Sequence, residues 1–323
     1  MLLVLNACIV VTRVEGVAVV ITPLLDCRRM TDLRSKDSYA HGTYAALRPA
    51  YPDHLYDKVI NYHQGPRTTA LDLGCGPGIV TRAVASTFLT VTGVDPSPGM
   101  ISQAEQLTPR DSFPNVRYQH GAAEELNFAL DGSVDAVVSG EAAHWFDYGR
   151  LWPELHRVLR REGTVAFWGY ADPEVVDYPR ATAILKRWTF SDDKDALGPY
   201  WSQPGKRIVE GLYRDIVPDP RYFGDVQRVE YEPGTSGPRS GKGEVVLSRT
   251  ATVEEWKEYM RTWSGCHAWQ EAHPEQSKRS AGGPGDVMDA IYDEMTEAEE
   301  WKADQQMELE LEWGTGVVMA RRV

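Results

Sequence analysis

"TALDLGCGPGIVTRAVASTFLTVTGVDPSPGM", Thr69–Met100, places glycines at alternate positions, Gly74, Gly76 and Gly78, and ends its second apolar run on Asp95. "TTALDL" reads as a short buried strand that stops at Gly74. "IVTRAVASTF" reads as a helix with Ile79, Val80, Ala83, Val84 and Phe88 on its apolar face, and "TVTGVD" as a second strand. A doubly wound sheet holds its ligand at the carboxyl ends of its strands, beside the first strand. The loop there must come close to the ligand, which side chains would obstruct, and the following helix offers free N–H groups at its start.

The rhythm continues outward from this stretch. "SPGMISQAEQL" is a helix pattern, "VRYQHG" a third strand and "SVDAVVSG" a fourth. "LWPELHRVLR" is an amphipathic helix and "GTVAFWGY" a fifth strand. Strands alternating with helices at this spacing predict a parallel sheet covered on both faces. Upstream, "PDHLYDKVINYH" has a helical pattern with Pro52 and Asp53 at its start, and Gly65-Pro66 breaks the chain after it. Downstream, residues 173–248 are rich in Pro, Gly, Tyr and charge without βαβ rhythm, and read as an insertion beside or over the sheet. Thr252 and Glu255 have the spacing of a capping box and open the helix "TVEEWKEYMRTW". "DVMDAIYDEMTEAEEWKADQQ" is a further helix. "MELELEWGTGVVMARRV" alternates and is expected to turn at Gly314-Thr315-Gly316 as a β-hairpin.

The 323 residues allow one large domain or two. A net charge of −13 repels polyanions, and no Lys/Arg-rich run offsets it, so a nucleic-acid partner is not expected. The four cysteines, Cys8, Cys27, Cys75 and Cys266, form no CxxC pair. Neither a metal site nor a disulfide framework is indicated, and the pattern suits a reducing, cytoplasmic compartment. "MLLVLNACIVVTRVEGVAVVITPLL" is apolar but interrupted by Asn6, Arg13 and Glu15, and it lacks a basic start. No run reaches the ~18 residues of a spanning helix, so no stable membrane insertion is expected. Residues 1–30 read as an extension outside the fold, such as a wrong gene start would add, with a membrane or secretory segment as the alternative.

The spacing of the loop chooses among ligands. A dinucleotide fingerprint needs a third glycine or alanine where this chain has Ile79, and the lysine-containing phosphate loop is absent. Asp72 stands two residues before Gly74, where an acid disfavours a pyrophosphate and suits a cationic amino group. A carboxylate at Asp95 has two acceptor oxygens and no donor, which matches a vicinal diol.

"LDLGCGPG" with "GVDPSPGM" resembles motifs I and II of the class I methyltransferases that use S-adenosylmethionine. The resemblance implies the cofactor, an α/β fold with a doubly wound, seven-stranded Rossmann-like sheet, and direct methyl transfer. It places Asp72, Gly74, Gly76 and Gly78 against the methionine part and Asp95 on both ribose hydroxyls. Pro96, Ser97 and Met100 would pack on the adenine, with Ala123 and Glu124 at its edge. Ala122 departs from the aspartate often found there. "YAALRPAYP", "EAAHWFD" and "YMRTWSGCHAW" are similar to a narrower group, the trans-aconitate methyltransferase-like proteins, over residues 38–323. That likeness implies a small-molecule acceptor, a carboxylate oxygen first, with a hydroxyl, nitrogen or carbon as alternatives. It places Tyr44 near the cofactor and Arg48 near the cofactor's carboxylate or the acceptor. A surface or structural ion pair is the other reading of Arg48.

His144 and Trp145 follow strand four, where the acceptor should enter. His144 would orient an acceptor oxygen or take a proton, as candidate catalytic residue, and Trp145 would line the acceptor site. The alternative is a structural hydrogen bond for one and packing for the other. Trp188, Tyr200, Trp201 and Tyr213, in the insertion, serve equally as pocket wall or core. The expected organisation is a single domain over residues 31–323, with 173–248 forming the acceptor pocket. A nicotinamide-dependent oxidoreductase and a non-catalytic cofactor-binding protein are the readings of another class. The oligomeric state is not legible.

Overall fold

The computed structural model describes residues 51–302 and 304–323. Five parallel strands build the sheet's first half: β1 (Thr69–Leu73), β2 (Thr90–Asp95), β3 (Val116–His120), β4 (Val134–Gly140) and β5 (Leu159–Val175). Four further strands join them: β6 (Phe223–Glu232), β7 (Lys242–Gly243), β8 (Leu247–Thr252) and β9 (Glu308–Arg322). Among the described residues the order is β3-β2-β1-β4-β5-β9-β6-β7, with β8 also pairing with β9. The chain reverses direction across the sheet between β1 and β4, so a crevice opens at their carboxyl ends.

Helices cover both faces. α1 (Asp53–Tyr62), α2 (Ile79–Val84), α5 (Pro179–Phe190), α7 (Val253–Arg261), α8 (Ser264–Ala272) and α9 (Val287–Ala298) supply residues to one apolar cluster, including Leu55, Val80, Leu185, Trp256, Trp269 and Ile291. α4 (Tyr148–Val158) and α6 (Gly205–Glu210) pack on the other around Leu151, Leu155, Phe167 and Tyr213. α3 (Pro98–Gln106) flanks β2 and β3. β4 is buried along nearly its whole length, as a strand covered on both faces must be. The predicted capping box is present. The Thr252 hydroxyl accepts from the Glu255 N–H at 3.2 Å and Glu255 accepts from the Thr252 N–H at 3.0 Å.

Three expectations are corrected. Among the described residues the sheet has nine strands where seven were expected, because the short β7 adds to β6 and β8 adds to the long β9. The C-terminal segment does not turn at Gly314-Thr315-Gly316. It runs as one 15-residue strand between β5 and β6, antiparallel to both. Neither glycine has a positive φ. They are there because other chain segments press on them: a Cβ on Gly316 would lie 2.1 Å from the Leu212 carbonyl oxygen, and one on Gly314 would lie 3.1 Å from the Leu212 side chain. The segment 173–248 is also not wholly an insertion, since β5 runs to Val175 and β6 belongs to the sheet.

Candidate active site

The loop between β1 and α2 is built by backbone conformation and close packing. Gly74, Gly76 and Gly78 all have positive φ, at 66°, 51° and 81°. The Gly74 and Cys75 N–H groups both donate to the Val94 carbonyl, at 2.8 and 3.0 Å, which ties the loop to β2. A Cβ at Gly74 would stand 2.4 Å from the Ala142 Cβ, and one at Gly78 would stand 2.1 Å from the Tyr118 hydroxyl. Gly76 differs, because nothing lies within 4 Å of the Cβ it lacks. Its left-handed backbone faces open space, which is the shape of a cradle.

Asp95 ends β2 almost fully buried. Its Oδ2 accepts from the Gly76 N–H at 2.9 Å and its Oδ1 from the Ser97 N–H at 2.8 Å. The carboxylate thus fixes the loop to the next turn. Each oxygen keeps a second lone pair, enough for the two hydroxyls of a diol. Ser97 caps α3 by accepting from the Met100 N–H at 3.3 Å. Pro96 is exposed at the rim and Met100 is half-buried. Ala123 is buried after β3, and Glu124 accepts from the Asp147 N–H at 2.8 Å, joining that turn to the start of α4.

Asp72 lies inside β1, fully buried. The Thr81 hydroxyl donates to its Oδ2 at 2.6 Å, whereas its Oδ1 has no partner. Burial pushes its pKa up to about 7, with a further upward push from Asp95 and a downward one from Thr81. A buried carboxylate oxygen without a donor is costly unless a ligand supplies one. The donor set therefore fits an amino-acid cofactor with a ribose: a bare carboxylate oxygen for an ammonium group, an open glycine cradle, and a carboxylate with spare acceptors for the diol.

The sequence's second group of candidate residues follows the end of β4. Ala142, which abuts Gly74, leads into a 3-10 turn, Ala143–Trp145. His144 is half-buried, with its Nδ1 3.0 Å from the Tyr213 hydroxyl and its ring 4.7 Å from that of Trp145. The sequence thus places His144 and Trp145 two and three residues beyond the atom that touches the cofactor loop. Tyr44 and Arg48 lie outside the described residues.

Sequence reasoning missed three residues here. Glu141 has a φ of 54°, rare for a side chain, and its carboxylate accepts from the Tyr170 N–H at 2.8 Å. Strained backbone of this kind concentrates at functional sites. Thr81 was not singled out among the helix residues, yet it is buried and supplies the hydroxyl for Asp72. Tyr213, read only as wall or core, is bonded to His144. Aromatic rings of Tyr51, Tyr56, Trp168 and Tyr170 pack together beside Glu141, with Tyr51 5.7 Å from Trp168 and 6.2 Å from Tyr170. Among the described residues no group of three or more His, Cys, Asp and Glu is placed to hold a metal ion, and no helix is long and apolar enough to cross a membrane.

A Rossmann-like sheet with this loop defines a nucleoside-cofactor enzyme, and comparison with known proteins gives its class. Residues 71–167 match the family described as a methyltransferase domain. The chain is 30% identical over 287 residues to CRG1 of Saccharomyces cerevisiae, named a probable S-adenosylmethionine-dependent methyltransferase, covering 86% of this chain and 94% of that protein. It is 28% identical to a protein of Dictyostelium discoideum named as a methyltransferase, over 71% of this chain and 77% of that one. A structure assigned as a type II methyltransferase from Anaeromyxobacter dehalogenans superimposes with a TM-score of 0.61 at 26% identity, covering 85% of this chain and 97% of that one. The chain belongs to the S-adenosylmethionine-dependent methyltransferases and is an enzyme of the class I fold, with S-adenosylmethionine as its cofactor. That membership sets aside the nicotinamide reading.

Proposed function

We propose that this methyltransferase acts on an oxygen of a small organic molecule, the carboxylate of an organic acid in first place. The observation that carries the placement is the Gly74–Ala142 contact, which sets the turn holding His144 and Trp145 against the cofactor loop. The preference for a carboxylate comes from the likeness to the trans-aconitate group, with Arg48 as the guanidinium that would pair with it. The acidic charge of the chain supports a small acceptor over a polyanion.

When bound, the cofactor supplies a methyl carbon made electrophilic by its sulfonium. The chain's own residues then have assigned roles. Asp72 takes the ammonium group, the glycines leave room for the methionine part, and Asp95 holds the ribose diol. Pro96, Ser97, Met100, Ala123 and Glu124 would surround the adenine, and by the resemblance Tyr44 would serve the cofactor. Trp145 lines the acceptor site, and the non-sheet parts of 173–248 close it.

A second reading, a hydroxyl acceptor, is favoured by the His144–Tyr213 hydrogen bond. An ionised carboxylate needs no base, whereas a hydroxyl needs its proton removed, and an oriented imidazole suits that task. Transfer of labelled methyl to a panel of small acids and phenols separates the two. Methyl esters release labelled methanol in mild base, and ethers do not. Ether products alone would replace the first reading with the second.

A further inference from the structure

Gly169 on β5 and Gly316 on β9 are direct partners in the antiparallel pairing. Glycines facing each other inside a sheet weaken it and call for a local reason. Neither has a positive φ, so no turn or left-handed bulge explains them. Packing does. A Cβ on Gly169 would lie 2.5 Å from Cζ of Tyr213 and 2.6 Å from its hydroxyl, while one on Gly316 would meet the Leu212 carbonyl oxygen at 2.1 Å. The paired glycines form a notch across the two strands, and the Leu212-Tyr213 corner fills it.

That corner is itself strained. Leu212 and Tyr213 have φ of 53° and 61°, two consecutive non-glycine residues in the left-handed region. Such backbone is costly for a side-chain-bearing residue and persists only where its surroundings enforce it. The Tyr213 N–H donates to the Ile208 carbonyl at 3.1 Å, and the Arg228 guanidinium donates to the carbonyls of Tyr213 and Ile216 at 3.0 and 2.5 Å. The result is a fully buried phenol whose hydroxyl stands 3.0 Å from Nδ1 of His144. Burial pushes the phenol's pKa well up, so the hydroxyl is neutral. On its other side the His144 ring meets Trp145 and α6, where a Cβ on Gly205 would lie 3.3 Å from the imidazole Cδ2.

We infer that Tyr213 is a positioning residue for the reaction: seated by the Gly169/Gly316 notch, its hydroxyl fixes the ring orientation and tautomer of His144 and so the role of Nε2 at the acceptor. Packing alone would need the ring of Tyr213 but not its hydroxyl. The inference rests on the reading that His144 serves the acceptor, so the test must tell the two apart. Tyr213→Phe keeps the ring in the notch and removes one oxygen. In the full chain saturated with S-adenosylhomocysteine, side-chain ¹⁵N spectra assigned through His144→Gln should show one tautomer of His144 in the wild type and a shifted or mixed pattern in Y213F. With the best acceptor of the acid and phenol panel, Y213F should lose about tenfold or more in kcat: for a phenol as a share of the effect of a general base, and for an acid as lost orientation of the acceptor oxygen. Affinity for S-adenosylhomocysteine should stay within about twofold, because the hydroxyl is placed on the acceptor side. Adding Y213F to H144Q should cost nothing further. An unchanged His144 resonance in Y213F overturns the inference, as does wild-type kcat in Y213F when H144Q is crippled. Full turnover in H144Q overturns the acceptor reading of His144 instead, and takes the positioning role with it.

Discussion

Replacing Asp95 by alanine removes two sets of interactions whose sizes can be worked out separately. Within the protein, the Gly76 and Ser97 N–H groups lose their carboxylate acceptor. A buried donor left without a partner costs about 1–3 kcal/mol, so the fold should lose a few kcal/mol and melt several degrees lower. Toward the cofactor, two ribose hydroxyls lose a charged acceptor. Hydrogen bonds to charged groups are worth about 1.5–3 kcal/mol each, together about 3–6 kcal/mol, or roughly 10²- to 10⁴-fold in Kd. Calorimetric titration of S-adenosylhomocysteine, well below the melting temperature of each variant, reads the second effect apart from the first. Asp95→Asn should fall between, since an amide keeps one acceptor oxygen and adds a donor facing an N–H. An Asp95→Ala protein that is folded by circular dichroism and binds within about threefold of wild type would refute the ribose role of Asp95.

Other expectations follow from neighbouring residues. Gly74→Ala forces a Cβ to 2.4 Å from that of Ala142 in a left-handed backbone, and should lower both the melting temperature and cofactor affinity, whereas Gly76→Ala, with open space, should keep more stability. The Asp72 carboxyl, pushed up to about 7 from 3.8 by burial, holds its proton in the folded chain where the unfolded chain has lost it. Its contribution to stability therefore declines as pH rises from the unfolded value toward 7. A bound ammonium favours the ionised form, so S-adenosylhomocysteine should bind more tightly from about pH 6 to about pH 8, by up to about tenfold, and Asp72→Asn should flatten that rise in calorimetric titrations. A chain beginning at Thr31 should bind the cofactor with unchanged affinity, and a marked loss would bring the first 30 residues into the fold.

The half of the fold that holds the cofactor was legible because its signals are local. Short runs of Ala, Val and Leu broken by single polar residues or Gly mark β1, β2 and β4, a glycine loop follows β1, and Asp95 lies within the next strand, only nineteen residues from the Gly76 amide it accepts from. The other half was not, because its signals are long-range. β6 is exposed in its middle, over residues 225–228 with Asp225, Gln227 and Arg228, so it lacks the apolar alternation that marks a strand. Gly314 and Gly316 read as a turn because sequence alone does not show that the Leu212-Tyr213 corner presses on them. The Tyr213–His144 hydrogen bond spans 69 residues, and the left-handed φ of Glu141 has no counterpart in residue type. At the β4 exit, His144 and Trp145 were legible but the Tyr213 hydroxyl that His144 meets was not.

Methyl transfer to an oxygen of a small acceptor can be read directly with labelled S-adenosylmethionine. The full chain is incubated with the labelled cofactor and a panel of small carboxylic acids, trans-aconitate included, and volatile label is collected after mild base. Methanol release above the no-acceptor control is expected, with a ranking among the acids. Label found only on nitrogen or carbon of an acceptor, from a preparation that binds the cofactor, would contradict it.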